Sequence, residues 1–220
     1  MQKISSCFAA LLFVFTVHAQ VQVRFEPRHH NVYENDLVRI LNVFLPPGDT
    51  SQYHVHSTPS VFISYTVTKT GSQLLGQPPA NAIPAAKTIW YESLVKEKIH
   101  RVWNADTGWF HVMDIELTGK GVLSHPPLLK NDSLKLLLDE EQVNVYKLQL
   151  PAMAKTTLPA TEKGLLIICL DKADVNISVN KKQQPLLMLD GHYQWIESGK
   201  AVSLQNNAAF ESGFAILQLK

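Results

Sequence analysis

The chain has 220 residues, room for one large domain or two small ones, with Lys+Arg 20 against Asp+Glu 19 and a formal net charge of +1. That balance provides no basic field to hold nucleic acid, and 45% hydrophobic residues suit a packed core and exclude a disordered chain. Ten glycines and twelve prolines exclude collagen-like and low-complexity designs, and two cysteines cannot make a disulfide framework.

The first segment reads as a targeting signal. Lys3 supplies a positive charge, Ile4 to Val17 is an almost unbroken apolar run, and Val17-His18-Ala19 ends it with small residues at the cleavage positions. The run is shorter than the ~20 residues that span a bilayer. The expectation is a signal peptide over 1–19, a mature chain starting at Gln20 that is periplasmic or secreted, and no stable membrane span after cleavage. Loss of Cys7 would leave Cys169, which sits in the run Leu165 to Leu170 and reads as a buried small hydrophobe.

Beyond the signal, short runs rich in Val, Ile, Leu, Phe and Tyr recur between Pro, Gly, Asn and Asp clusters, the pattern of an all-β sandwich or barrel. Leu37 to Leu45 is one such run, stopped by Pro46-Pro47-Gly48-Asp49; Val61 to Thr68 and Trp109 to Leu117 are two more. Leu134, Leu137 and Leu138 would share one face of a short helix over Leu134 to Glu141. Pro126-Pro127 and Asn131-Asp132-Ser133 look like a boundary between units.

The runs also repeat. Val38 to Pro46 resembles Val143 to Pro151, Val61 to Tyr65 resembles Leu166 to Leu170, and Asn104 to Leu117 resembles Asn206 to Leu219, in the same order and at nearly the same offset. This points to an internal duplication of a β unit, with units over 20–125 and 126–220.

The first unit carries the chemistry. His54 and His56 are two residues apart, so on a strand both imidazoles face one side, and His100 follows with Arg101-Val102-Trp103-Asn104. Imidazole is the commonest side-chain ligand of Zn, Fe, Cu and Ni, so three on one face would make a transition-metal site with open positions. The bland alternative is a pair of half-exposed strand histidines.

On these residues the sequence resembles the cupin superfamily. Gly48 to His56 is similar to the first cupin motif, a glycine followed after five residues by H-x-H, and His100 to Asn104 is similar to the end of the second. With the duplication, the chain resembles an exported bicupin. The resemblance implies an all-β fold of two tandem jelly-roll barrels and a divalent metal (Fe, Mn, Zn, Ni or Cu) held by His54, His56 and His100. It also implies either a metal-dependent dioxygenase or isomerase acting on a small anionic molecule, or a non-catalytic small-ligand-binding or structural barrel.

The sequence departs from the family in two ways. The first motif's glutamate is missing, with Ser60 and Val61 in its place, so that three neutral imidazoles would leave the metal's charge uncompensated. Tyr53, Tyr65, Tyr91 or Glu92 could complete the shell, and spacing does not choose among them. In the second unit Pro159, Thr161 and Val202 align with His54, His56 and His100, which predicts a barrel without a metal. Of the other histidines, His29 and His30 could clip a metal but read more readily as an exposed loop pair, His111 reads as a satisfied core group, His125 as loop and His192 as part of the Gly191 turn.

Overall fold

A computed structural model describes residues 20–84, 87–119 and 124–220; the expected export signal, 1–19, lies outside them. Strands dominate, and the first nine are β1 (Val21–Gln22), β2 (His29–Glu34), β3 (Arg39–Leu45), β4 (His54–His56), β5 (Ser60–Ser64), β6 (Lys69–Leu74), β7 (Ile83–Pro84), β8 (Ile89–Glu92) and β9 (Lys98–Asn104). Then come β10 (Phe110–Glu116), β11 (Leu134–Asp139), β12 (Val143–Leu150), β13 (Lys155–Leu158) and β14 (Leu165–Cys169). The last five are β15 (Ala173–Val179), β16 (Lys182–Met188), β17 (Tyr193–Ile196), β18 (Val202–Asn206) and β19 (Ser212–Leu219). The apolar runs read from the sequence are β3, β5 and β10. No helix among the described residues is long and apolar enough to cross a membrane.

Four sheets repeat one topology. The order β2-β3-β10-β5-β8 reappears as β11-β12-β19-β14-β17, and β1-β4-β9-β6-β7 reappears without its first strand as β13-β18-β15-β16. The same asparagine corner braces both halves. Asn104 donates from Nδ2 to the carbonyls of Leu45 and Gly108, and Asn206 does the same to those of Leu150 and Phe210.

Strand alternation divides the apolar residues between three cores. On β5 and β10, Val61, Ile63, Met113 and Ile115 point toward the second half; there they meet Val143 and Val145 of β12, Leu166 and Ile168 of β14, and Leu217 of β19 in a core between the barrels. The alternate residues of β12, β14 and β19, including Tyr146, Leu148, Ile167, Cys169, Phe214 and Ile216, fill the second barrel. The first barrel is different. Among the described residues its interior holds four buried apolar side chains, Val43, Leu45, Phe62 and Val112, against seventeen in the second. Polar side chains occupy the remaining space.

One element departs from the sequence reading. Leu134 to Glu141 was expected as a short helix, and it is instead strand β11 paired with β12, with a register shift between Leu136 and Leu138. That bulge inserts one residue, so Leu134 packs into the second barrel's core while Leu138 turns to the core between the barrels. A strand that changes faces midway loses its two-residue period, and the leucine spacing then imitates a helical stripe. β2 carries the matching shift between Asn31 and Tyr33. In consequence His29, before the bulge, faces the first barrel's interior, while Tyr33, after it, packs against the inter-barrel core.

Candidate metal centre

β4 places His54 and His56 on one face, and its pairing with β9 sets His100 directly opposite His54. The rings of His54 and His56 are 4.9 Å apart, and that of His100 stands 4.7 Å from His54 and 5.0 Å from His56. The three histidines selected from the sequence are therefore neighbours in space. A fourth joins them from the opposite sheet. The His29 ring lies 4.5 Å from that of His54 and 6.1 Å from that of His56, and nitrogens of His29, His54 and His56 come within 4.8 Å of one another. The expectation of an exposed loop pair fails for His29, which is buried at the start of β2, and holds only for the exposure of His30.

The second barrel provides an internal comparison. β13 and β18 pair Leu158 with Val202, as β4 and β9 pair His54 with His100. The structural counterpart of His54 is thus Leu158, and that of His56 is Ala160. The sequence alignment to Pro159 and Thr161 was one residue out of register; Val202 was correctly matched to His100. By the same logic Leu134 stands where the first barrel has His29, since these residues face Leu148 and Val43 on the neighbouring strands. Ile216 stands for Asp114. Where the first barrel carries His54, His100, His29 and Asp114, the second carries Leu158, Val202, Leu134 and Ile216 in or against its hydrocarbon core, while Ala160 is exposed.

Hydrogen bonds fix how the imidazoles present themselves. His54 Nδ1 donates to the Gln52 carbonyl at 2.8 Å, so the proton sits on Nδ1 and the Nε2 lone pair is left free. His29 Nδ1 donates to Glu26 Oε2 at 2.7 Å, with the same consequence. His56 Nδ1 faces Asp114 Oδ2 at 3.5 Å. Burial, reinforced by neighbouring imidazoles, pushes His54 down to about 4 and His100 down to about 3, and lowers His56 strongly as well; these rings are neutral near pH 7. Burial alone would raise the Glu26 carboxyl, but hydrogen bonds from His29 and from the Gln52 and Arg28 amides hold it below its ordinary range. Asp114 is raised, chiefly by burial and then by Glu116.

These donors fit a transition metal. His54 Nε2 is buried without a hydrogen-bond partner, which costs about 1–3 kcal/mol if nothing accepts its lone pair. Clustered neutral imidazoles, two of them (His54 and His29) anchored through Nδ1 with the second nitrogen free, are what a divalent transition metal takes as ligands.

Of the other residues considered for the shell, Glu92 borders the site and the tyrosines do not. Tyr53 lies under the Arg101 guanidinium, Tyr65 stacks on His111 and Tyr91 packs against the inter-barrel core. Glu92 is engaged by Lys98, whose Nζ donates to both carboxylate oxygens at 2.9 and 2.8 Å. Val61 faces the inter-barrel core, so the residue of β5 that looks into the site is Phe62. His111 is sandwiched between Phe44 and Tyr65, outside the cluster, with its Nε2 buried and lacking a hydrogen bond rather than satisfied. His125 and His192 are exposed outside the strands.

The imidazoles, three from one sheet and His29 from the other, line a cavity of about 200 Å³. Val43, Val102, Phe110, Val112 and the stacked pair Phe62 and Trp90, whose rings are 5.0 Å apart, make the apolar walls. Lys98 and Glu92 are its charged members.

No family model matches the chain, and no curated protein sequence matches it. Solved structures do. AerE from Microcystis aeruginosa superposes with a TM-score of 0.61 at 12% identity, covering 89% of this chain and 99% of its own. Salicylate 1,2-dioxygenase from Pseudaminobacter salicylatoxidans gives 0.59 at 10% identity, covering 84% of this chain and 72% of its own. YhaK from Escherichia coli gives 0.55 at 11% identity, covering 87% of this chain and 92% of its own. The likeness is one of fold, and the fold is that of two cupin jelly rolls.

Proposed function

We propose that this two-barrel cupin binds one divalent transition metal in its first barrel, through a set that includes His54, His56 and His100, and acts there on a small anionic molecule. The observation that carries the reading is the clustering of the neutral His54, His56 and His100 imidazoles, with His54 anchored through Nδ1 and its Nε2 left free, in a largely apolar cavity. A bound metal would supply Lewis acidity and, if redox-active, electron transfer, which are the needs of an isomerase or a dioxygenase. The residues of the chain do the rest. Phe62, Trp90, Val43 and Val112 exclude water and match an apolar or planar body. Lys98, held in place by Glu92, offers a cation to a carboxylate or enolate. The dioxygenase likeness supports this class, since salicylate 1,2-dioxygenase has been crystallised with gentisate.

A second reading, a barrel that binds its ligand without turnover, is favoured by the Lys98–Glu92 pair, which already neutralises the cavity's cation. Elemental analysis, followed by calorimetry with a panel of small carboxylates and an oxygen electrode on the metal-loaded protein, separates the two. One metal per chain with turnover supports the enzyme; one metal with anion binding and no turnover supports the binding protein. An absence of metal sinks the metal site and the enzyme, and anion binding without metal would leave only a ligand-binding barrel. We further propose export with removal of 1–19, on the strength of the apolar run ending at Ala19. Intact-mass analysis of the exported protein, with Gln20 as first residue, is the check.

A further inference from the structure

We infer that His29 is a metal ligand in its own right, and that Glu26, bonded to the far side of its ring, supplies the site with negative charge through that imidazole. The inference rests on the metal site proposed above and deepens it, because it names a ligand that neither cupin motif contains.

The placement is specific. His29 comes from β2, on the sheet opposite β4 and β9, and the bulge after it lets this one residue turn inward while Tyr33 turns away. Its nitrogens lie within 4.8 Å of those of His54 and His56. Its Nδ1 is committed to Glu26 at 2.7 Å, which leaves Nε2 as the nitrogen with a free lone pair. The structural counterpart in the other barrel is Leu134, packed against a hydrocarbon core, so this position is an inward-facing one in both halves.

Glu26 is built in as firmly as the ring it holds. The residue is 2% exposed, Oε2 accepts the Arg28 N–H at 2.7 Å, and Oε1 accepts the Gln52 N–H at 3.1 Å. The carbonyl of the same Gln52 accepts the proton of His54 Nδ1. Residue 52 therefore ties the two imidazoles into a single scaffold, and moving one displaces the support of the other. Imidazoles contribute no charge to offset a divalent cation. A carboxylate bonded to a ligand's second nitrogen makes that ligand more basic and brings a negative charge close to the metal without occupying a coordination position. The carboxylate thereby compensates charge and leaves the cavity side of the metal open to an anion.

The test uses the full-length protein, freed of metal and reloaded with Cu(II) or Zn(II). Pulsed electron paramagnetic resonance of the copper form counts coordinated imidazoles, and chelator competition gives affinity. His29→Ala and His29→Gln should each lose one imidazole and bind about 10–100-fold more weakly; Glu26→Gln should keep the count and weaken binding by about the same range. Nitrogen-15 spectra of the zinc-loaded wild type, showing coordination at Nε2 of His29, make the same test with no substitution. If both His29 variants keep the imidazole count and bind within about twofold of wild type, His29 is no ligand and this inference fails while the metal site stands. If the wild type takes up neither copper nor zinc, the proposed site falls and the inference falls with it.

Discussion

A glutamate introduced on β5 tests which face of the strand looks onto the proposed metal site. At Val61, where the cupin pattern suggests one, the side chain is fully buried in the core between the barrels, among Ile63, Met113, Val145 and Leu166. Val61→Glu removes a buried valine, about 1.5–3 kcal/mol of burial. It also places a carboxyl among hydrocarbon with no partner, a further cost of several kcal/mol whether it ionises or takes up a proton. A total of about 5 kcal/mol is comparable with the whole stability of an ordinary domain. Phe62→Glu is the contrasting change. Phe62 packs 5.9 Å from the His56 ring and lines the cavity, so a carboxylate there would lie near the proposed metal. It loses about 3–5 kcal/mol of aromatic packing, and metal binding should return part of it. Urea denaturation with and without zinc measures both variants. The expected result is a strongly destabilised Val61→Glu whose loss zinc offsets no more than in wild type, and a Phe62→Glu with a larger zinc-dependent gain than wild type. A Val61→Glu protein of normal stability with raised zinc affinity would refute the assignment of faces.

Three further outcomes follow from named groups. In the metal-free protein, the folded state holds His54 near 4 and His100 near 3, while the unfolded chain titrates near the ordinary 6.5; the unfolded state therefore binds protons first, and stability falls as pH drops from about 6.5 toward 4. For His54 this amounts to about 3 kcal/mol, and denaturation midpoints that stay flat over that window would contradict it. The matching corner asparagines give matching losses: Asn104→Ala and Asn206→Ala should each cost about 2 kcal/mol, because each strands a buried carbonyl, of Leu45 or Leu150, and frees a second, more exposed one, and thermal unfolding would reveal a neutral variant if the corners were incidental. Burial pushes the Cys169 thiol up to about 11, so it should resist thiol reagents at pH 8 until the chain unfolds, and rapid labelling of the native protein would show that the second core is open.

Three features are legible along the chain: its strand-rich character, the repeat and three of the clustered histidines. Those features are written locally. Alternating apolar runs report a buried face, H-x-H keeps two imidazoles on one side of any strand, and the recurring run around Asn104 and Asn206 survives because its corner braces both barrels. The tertiary structure alone decided the rest. The leucines of β11 looked helical because a bulge shifts the strand between two cores, and only pairing with β12 exposes that shift. Pro159 and Thr161 aligned with the wrong partners because register is set by hydrogen bonding across β13 and β18, not by counting along the chain. His29 carried no signal beside His30, since its place depends on a bulge two residues on and on a sheet brought over from the far side of the barrel. Burial, the Glu26 contact and the nearness to His54 are long-range facts. A ligand set drawn from opposite walls of a barrel becomes visible only once the barrel has closed.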